Sequence, residues 1–168
     1  AKVAERVVAI DISSVALAKT KECIREAGAH NVHFSAMNAE MLALAPASFH
    51  LICGKAVIHH LDLDRALPEL ARVLRPDGTA VFLEPLGHNP IINIYRRLTP
   101  SFRTADEHPL RAADLNLTQR FFAQVEVHYF TLLPLLAVPL RRMPFFQALL
   151  RFLVRADRAL FDRIPGLS

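Results

Sequence analysis

Glycine is scarce in this sequence: five occur in 168 residues, and none forms the Gly-x-Gly cluster that cradles a phosphate or a nucleotide cofactor. Cysteine is scarcer still. Cys23 falls within the first predicted helix and Cys53 at the end of a predicted strand, which excludes a disulfide framework and fits a reducing, cytoplasmic setting. There is no lysine-rich run and no basic patch interleaved with aromatics, so a formal net charge of +4 does not point to nucleic acid. The first residues, Ala-Lys-Val-Ala-Glu-Arg, have no long apolar core and are not a secretory signal. They also lack an initiator methionine, and the chain is expected to be a fragment. The most apolar run, Phe130 to Leu140, is too short to span a bilayer and contains Pro134 and Pro139. Internal repeats and low-complexity stretches are absent.

What is there suits a folded domain. Apolar residues make up 52% and charged residues 21%, enough to bury a sizeable core. The stretch that organises the chain is Val7-Val8-Ala9-Ile10-Asp11-Ile12-Ser13, a β-branched apolar run ending on a carboxylate just before a helical pattern. An unbroken apolar run predicts a strand over 6–12 buried on both faces, as in parallel sheets. An acid at the C-terminal tip of such a strand faces the crevice where ligands bind. Because an ionised carboxylate offers only acceptors, Asp11 suits the two hydroxyls of a ribose. As an alternative, Asp11 caps the following helix.

Ser13 or Ser14 caps a helix in which Ala16, Leu17, Cys23, Ile24 and Ala27 recur at helical spacing, and Gly28 stops it. Asn31 to Met37 reads as a second strand, with Asn38-Ala39-Glu40 at its end. Phe49 to Cys53 is a third strand, ending at Gly54-Lys55. Leu63, Ala66, Leu67, Leu70, Ala71 and Leu74 predict a helix; Pro68 lies near its first turn if Asp64 is the cap and inside it if Asp62 is. Arg75-Pro76-Asp77-Gly78 is a turn, and Thr79 to Leu83 a fourth strand ending at Glu84-Pro85.

Between Leu86 and His108 the pattern dissolves among prolines and carries Tyr95, Arg96, Arg97, Arg103, Asp106 and Glu107, as a functional lid would. Ala112 to Phe121 predicts a helix and Ala123 to Phe130 a fifth strand. The last apolar segment, Phe145 to Phe161, sets Phe146, Leu149, Leu150, Leu153 and Leu160 on one helical face and Arg151, Arg155, Arg158 and Asp162 on another. From Arg141 to Arg163 the arginines outnumber the acids, so residues 141–163 suit either a core or subunit contact or a peripheral membrane contact.

Four pieces in fixed order, Val8-Ala9-Ile10-Asp11-Ile12-Ser13, Asn38-Ala39-Glu40, Val57-Ile58-His59-His60-Leu61 and Arg72-Val73-Leu74-Arg75-Pro76-Asp77-Gly78, resemble the class I S-adenosylmethionine-dependent methyltransferases of the small-molecule type. The resemblance covers roughly residues 6–85. It implies a Rossmann-like three-layer αβα sandwich with a mostly parallel sheet, here with a helical C-terminal extension. It implies a partial methyltransferase domain over 1–130, with a lid at 86–108, followed by an apolar, basic segment over 131–168. It also implies that Asp11 binds the cofactor's ribose and Ile12 packs on its adenine. Asn38 and Ala39 would lie at the adenine edge, and Lys55 and Ala56 would line the methionine end. The family's glycine loop would precede Ala1 and its last strand would follow Ser168, so the chain is expected to be truncated at both ends.

The implied chemistry is methyl transfer to a small, apolar or lipid-like acceptor, in which alignment supplies much of the acceleration. If the acceptor is a hydroxyl or an acidic carbon a base helps, and His59, His60 and Glu84 are the candidates, with His88 and His108 behind them. Adjacent histidines on a helix diverge by about 100°, so His59-His60 is a poor metal site and no metal is expected. Two other readings remain. One is an NAD-dependent oxidoreductase, against which no Tyr-x-x-x-Lys pair is present. The other is a non-catalytic module that binds a membrane or partner through its basic C-terminal helix.

Overall fold

The computed structural model describes residues 4–85, 93–94, 97, 108–128 and 133–163. It divides into two compact units, Ala1–Glu84 and Pro85–Ser168. The first is built from two βαβ steps. Strand β1 (Val7–Asp11) leads through helix α1 (Ser14–Glu26) to β2 (Val32–Ala36), and β3 (Phe49–Lys55) leads through helix α2 (Leu63–Val73) to β4 (Leu74–Leu83). Both pairs are parallel, Val7 opposite Val32 through Asp11 opposite Ala36, and Leu51 opposite Thr79 through Lys55 opposite Leu83. Among the described residues each pair forms its own two-stranded ladder.

Local chemistry explains the boundaries. The Ser13 hydroxyl accepts the Ala16 N–H at 3.2 Å and caps α1, whose Arg25 lies in the last turn against the helix dipole. Asp62 caps α2 by accepting the Asp64 N–H at 3.1 Å. Pro68 therefore lies inside α2 and withholds one N–H from its ladder. Leu63, Ala66, Leu67, Leu70 and Val73 form one buried stripe of α2, and Leu42 and Ile58 are buried as well. Each fully buried Leu or Val there contributes on the order of 1.5–3 kcal/mol. Around α1 burial is partial: Ala16, Leu17 and Ile24 are half-buried, while Cys23 is exposed.

Phe49 pairs with Leu74 and Leu51 with Thr79, so Arg75 to Gly78 bulge out of β4 opposite the single residue His50. An Arg75 Nε to Asp77 Oδ1 bond of 3.1 Å closes the bulge, and that guanidinium holds the Asp77 carboxyl below the usual carboxylate range.

The second unit contains helix α3 (Ala112–Thr118), a 3-10 segment (Leu133–Leu140) and helix α4 (Phe146–Phe161). The expected fifth strand is not formed over 123–128, and 129–130 lie outside the described residues. Alternating polarity marks a half-buried surface, but a strand also needs a partner edge, and no described strand pairs with these residues. In the 3-10 segment Pro134 and Ala137, one turn apart, are buried. Across from them Asp157 of α4 is buried and accepts the Leu133 N–H at 2.7 Å, fixing the two elements together. Most of the expected lid, including Tyr95, Arg96, Arg103, Asp106 and Glu107, lies outside the described residues.

Candidate active site

The two parallel strand pairs end on the residues singled out from the sequence: Asp11 closes β1, Asn38 follows β2, Lys55 closes β3 with Ala56 after it, and Glu84 follows β4. At β1 the Asp11 Oδ1 accepts the Ser13 N–H at 2.7 Å. Asp11 thus shapes the turn into α1, while Ser13 does the capping. The other carboxylate oxygen of Asp11 has no hydrogen bond to a described residue and is exposed. At β2 the same device recurs: Asn38 Oδ1 accepts the Glu40 N–H at 2.9 Å. With Oδ1 held, the Asn38 amide keeps its two N–H donors. The Met37 N–H bonds the Asp11 carbonyl at 3.0 Å and ties the two tips together. Ile12 is 78% exposed at the tip.

The loop after β2 is fastened along α2. Glu40 Oε1 accepts the Asp62 N–H at 3.0 Å at the start of α2, and Arg65 approaches Glu40 at 3.6 Å. At the other end Arg72 bonds the Leu44 and Leu42 carbonyls, each at 2.8 Å, and clasps Glu69 through two bonds of 2.7 and 2.9 Å. Glu69 in turn accepts the Leu42 N–H at 2.7 Å. The Arg72 guanidinium and, secondly, this N–H draw the Glu69 carboxyl down to about 2. Glu40 and Arg72 stand in motifs quoted from the sequence, but those motifs do not reveal their role as staples, and Glu69 lies outside them. Only the Glu69–Arg72 spacing of one helical turn hints at their pairing.

Beyond β3 the backbone is tight. A Cβ on Gly54 would lie 2.7 Å from Val57 and 2.9 Å from the Phe82 ring, so only glycine fits there. Ala56 adopts φ 53°, left-handed for a residue with a Cβ, and its N–H bonds the Leu83 carbonyl. The turn Ile58–His60 that follows is organised by Glu84. One oxygen of Glu84 accepts the Val57 and Ile58 N–H groups at 2.9 and 3.1 Å, and the other lies 2.7 Å from His59 Nδ1. Both side chains are almost fully buried, 6% and 5% exposed. Since the Glu84 carboxylate accepts, His59 Nδ1 is the donor of this bond. His60 is half-buried and its ring lies 4.1 Å from that of His59, tilted by 40°. Structure therefore brings His59, His60 and Glu84 together. His88 lies outside the described residues, and His108 belongs to the second unit.

Paired βαβ steps, with acidic and amide side chains at the strand tips, define the Rossmann-like methyltransferase fold. Residues 1–82 match the family model described as a methyltransferase domain, which supports a class I S-adenosylmethionine-dependent methyltransferase over that part of the chain. The uncharacterized methyltransferase YcgJ of Bacillus subtilis is 28% identical over 107 residues, covering 62% of this chain and 42% of YcgJ. The crystal structure of YcgJ has a TM-score of 0.58 at 21% identity, over 68% of this chain and 50% of that one. This chain thus spans about half the length of the relatives it matches. Phospholethanolamine N-methyltransferase 2 of Haemonchus contortus, solved with phosphomonomethylethanolamine and S-adenosylhomocysteine, has a TM-score of 0.63 at 17% identity, over 96% of this chain and 41% of its own. These structural likenesses show the fold.

Proposed function

We propose that the protein transfers a methyl group from S-adenosylmethionine to a small acceptor that is apolar or lipid-like. The observation that carries the cofactor assignment is the pair of strand tips Asp11 and Asn38. In each, one side-chain oxygen is used by a turn N–H, and the remaining polar group makes no hydrogen bond to a described residue. Asp11 offers acceptors for ribose hydroxyls, Asn38 offers donors to the adenine edge beside Ala39, and exposed Ile12 offers an apolar face to the ring. Lys55 and Ala56 line the methionine end. When bound, the cofactor supplies an electrophilic methyl on a sulfonium, which needs no metal.

The chain's own residues then position and deprotonate the acceptor. His59, with Nδ1 held by Glu84, keeps Nε2 available to take the acceptor's proton, and His60 stacks beside it. Glu84 acts through His59. The two cysteines are unpaired and exposed, which supports a reducing, cytoplasmic location. Among the described residues no helix is long and apolar enough to cross a membrane. The basic, apolar segment 141–163 supports contact with a lipid surface and hence the lipid-like acceptor.

Calorimetric titration of the full protein with S-adenosylhomocysteine and, separately, with NAD tests the assignment. Binding of S-adenosylhomocysteine, weakened at least about tenfold by Asp11→Ala, is expected. Binding of NAD alone would sink it.

A further inference from the structure

Helix α4 carries more apolar surface than its own unit covers. Its packed face runs through Phe146, Leu150, Leu153 and Val154 to buried Asp157. Phe145 and Phe152, seven residues apart and therefore on one side of the helix, remain 48% and 66% exposed. Leu160 and, from the neighbouring turn, Met143 and Leu140 are exposed with them. Arg151, Arg155 and Arg158 share a further face, with Arg155 set about 60° round the helix from Phe152. Arg141 and Arg142 flank the start of the helix and Arg163 its end, and all are exposed. The aromatic strip therefore lies between the helix's packed face and an arginine border.

We propose that this face docks on an anionic lipid surface, with Phe145 and Phe152 immersed and the arginines at the headgroup level. An amphipathic helix with a cationic border and aromatic apolar residues lies in a membrane interface by this arrangement. Charge complementarity selects the occupant. Two copies of the face meeting about a two-fold axis would bring arginine borders together with one exposed acid each, the C-cap Asp162, against Arg151, Arg155 and Arg158, because Asp157 is buried. Anionic headgroups attract the same arginines. The inference deepens the lipid contact proposed above for residues 141–163 and stands on the exposure and charge of this helix alone.

The protein has no tryptophan, so one introduced indole reports cleanly. Full-length protein carrying Phe152→Trp is titrated with vesicles of phosphatidylcholine alone and of phosphatidylcholine with phosphatidylglycerol, without methyl donor. Gln147→Trp, an exposed site off the strip, serves as control. A blue shift at position 152 but not 147 is expected, only with the anionic vesicles and lost in high salt. Arg151→Glu with Arg155→Glu should weaken binding at least about tenfold while circular dichroism stays unchanged. No shift at 152 in a folded protein, or an equal shift with neutral vesicles, overturns the proposal. So does a dimer by sedimentation that Phe152→Ser dissociates while vesicles have no effect. Vesicle binding that survives Asp11→Ala, alongside lost cofactor binding, separates this surface from the methyl-transfer reading.

Discussion

Glu84 Oε2 lies 2.7 Å from His59 Nδ1, and the same carboxylate receives the Val57 and Ile58 N–H groups. One buried side chain at the end of β4 therefore fixes both the backbone of the turn and the Nδ1 proton of its histidine. Glu84→Gln keeps the shape but replaces one accepting oxygen with a donating amide, so an N–H of the turn or Nδ1 loses its acceptor. The expected cost is about 1–3 kcal/mol of stability. If Nε2 is the base, the variant also loses kcat more than KM and shifts the pH–rate profile, because the tautomer is no longer fixed. His59→Gln should lower kcat with a smaller change in melting temperature. A Glu84→Gln protein with an unaltered pH–rate profile would assign Glu84 to structure alone.

The Glu69–Arg72 clasp predicts an acid-sensitive loop. The Glu69 carboxyl is drawn down to about 2 from its ordinary 4.5. A depressed carboxyl contributes stability that is fully present above its unfolded value and is lost as pH falls through the folded one. The contribution should thus fade between about pH 4.5 and pH 2. Denaturant midpoints measured across that range should fall more steeply for the wild type than for Arg72→Gln, whose Glu69 keeps the Leu42 N–H but loses the larger of the two contacts that lower it. Parallel slopes would show that the clasp contributes nothing to acid sensitivity.

Much of this architecture was legible before the structure. Helix α2 announced itself because Leu63, Ala66, Leu67 and Leu70 repeat with the helical period, and burial follows that period. The tip positions of Asp11, Asn38 and Glu84 followed from strand ends. The staples did not, because Arg72 reaches carbonyls 28 and 30 residues upstream, and no local pattern encodes a loop lying along a helix. Helix α4 shows the converse limit. Periodicity sets Leu160 with Phe146 and Leu153, yet Leu160 is exposed and Asp157 is buried. A helical wheel gives the apolar arc, and only the neighbour decides how much of it is covered.

Glu40 should matter more for the cofactor than for the fold. It holds the Asn38 loop to the first turn of α2 through the Asp62 N–H. That bond is exposed, so Glu40→Ala is expected to cost no more than about 1 kcal/mol. Losing it frees the loop that presents Asn38, and affinity for S-adenosylhomocysteine should drop severalfold by calorimetry. Equal affinity in the variant would mean that the Arg72 staple alone holds the loop.

Backbone geometry beside β3 makes opposite predictions for neighbouring residues. Gly54→Ala would push a methyl against Val57 and Phe82, at 2.7 and 2.9 Å. The displaced Val57 also donates to Glu84, so a loss of about 1–3 kcal/mol is expected. Ala56 is in the left-handed region at φ 53°, and Ala47 is too, at φ 49° in the loop before β3. Glycine removes the Cβ clash at either position, and part of that gain is returned to the freer unfolded chain. Ala47→Gly and Ala56→Gly should each raise the denaturation midpoint by an amount worth up to about 1 kcal/mol. Only Ala56→Gly should also alter cofactor affinity, because Ala56 alone of the two sits at a strand tip of the proposed site. A stabilised Ala56→Gly protein that binds S-adenosylhomocysteine as the wild type does would remove Ala56 from the binding residues while leaving the strain argument intact.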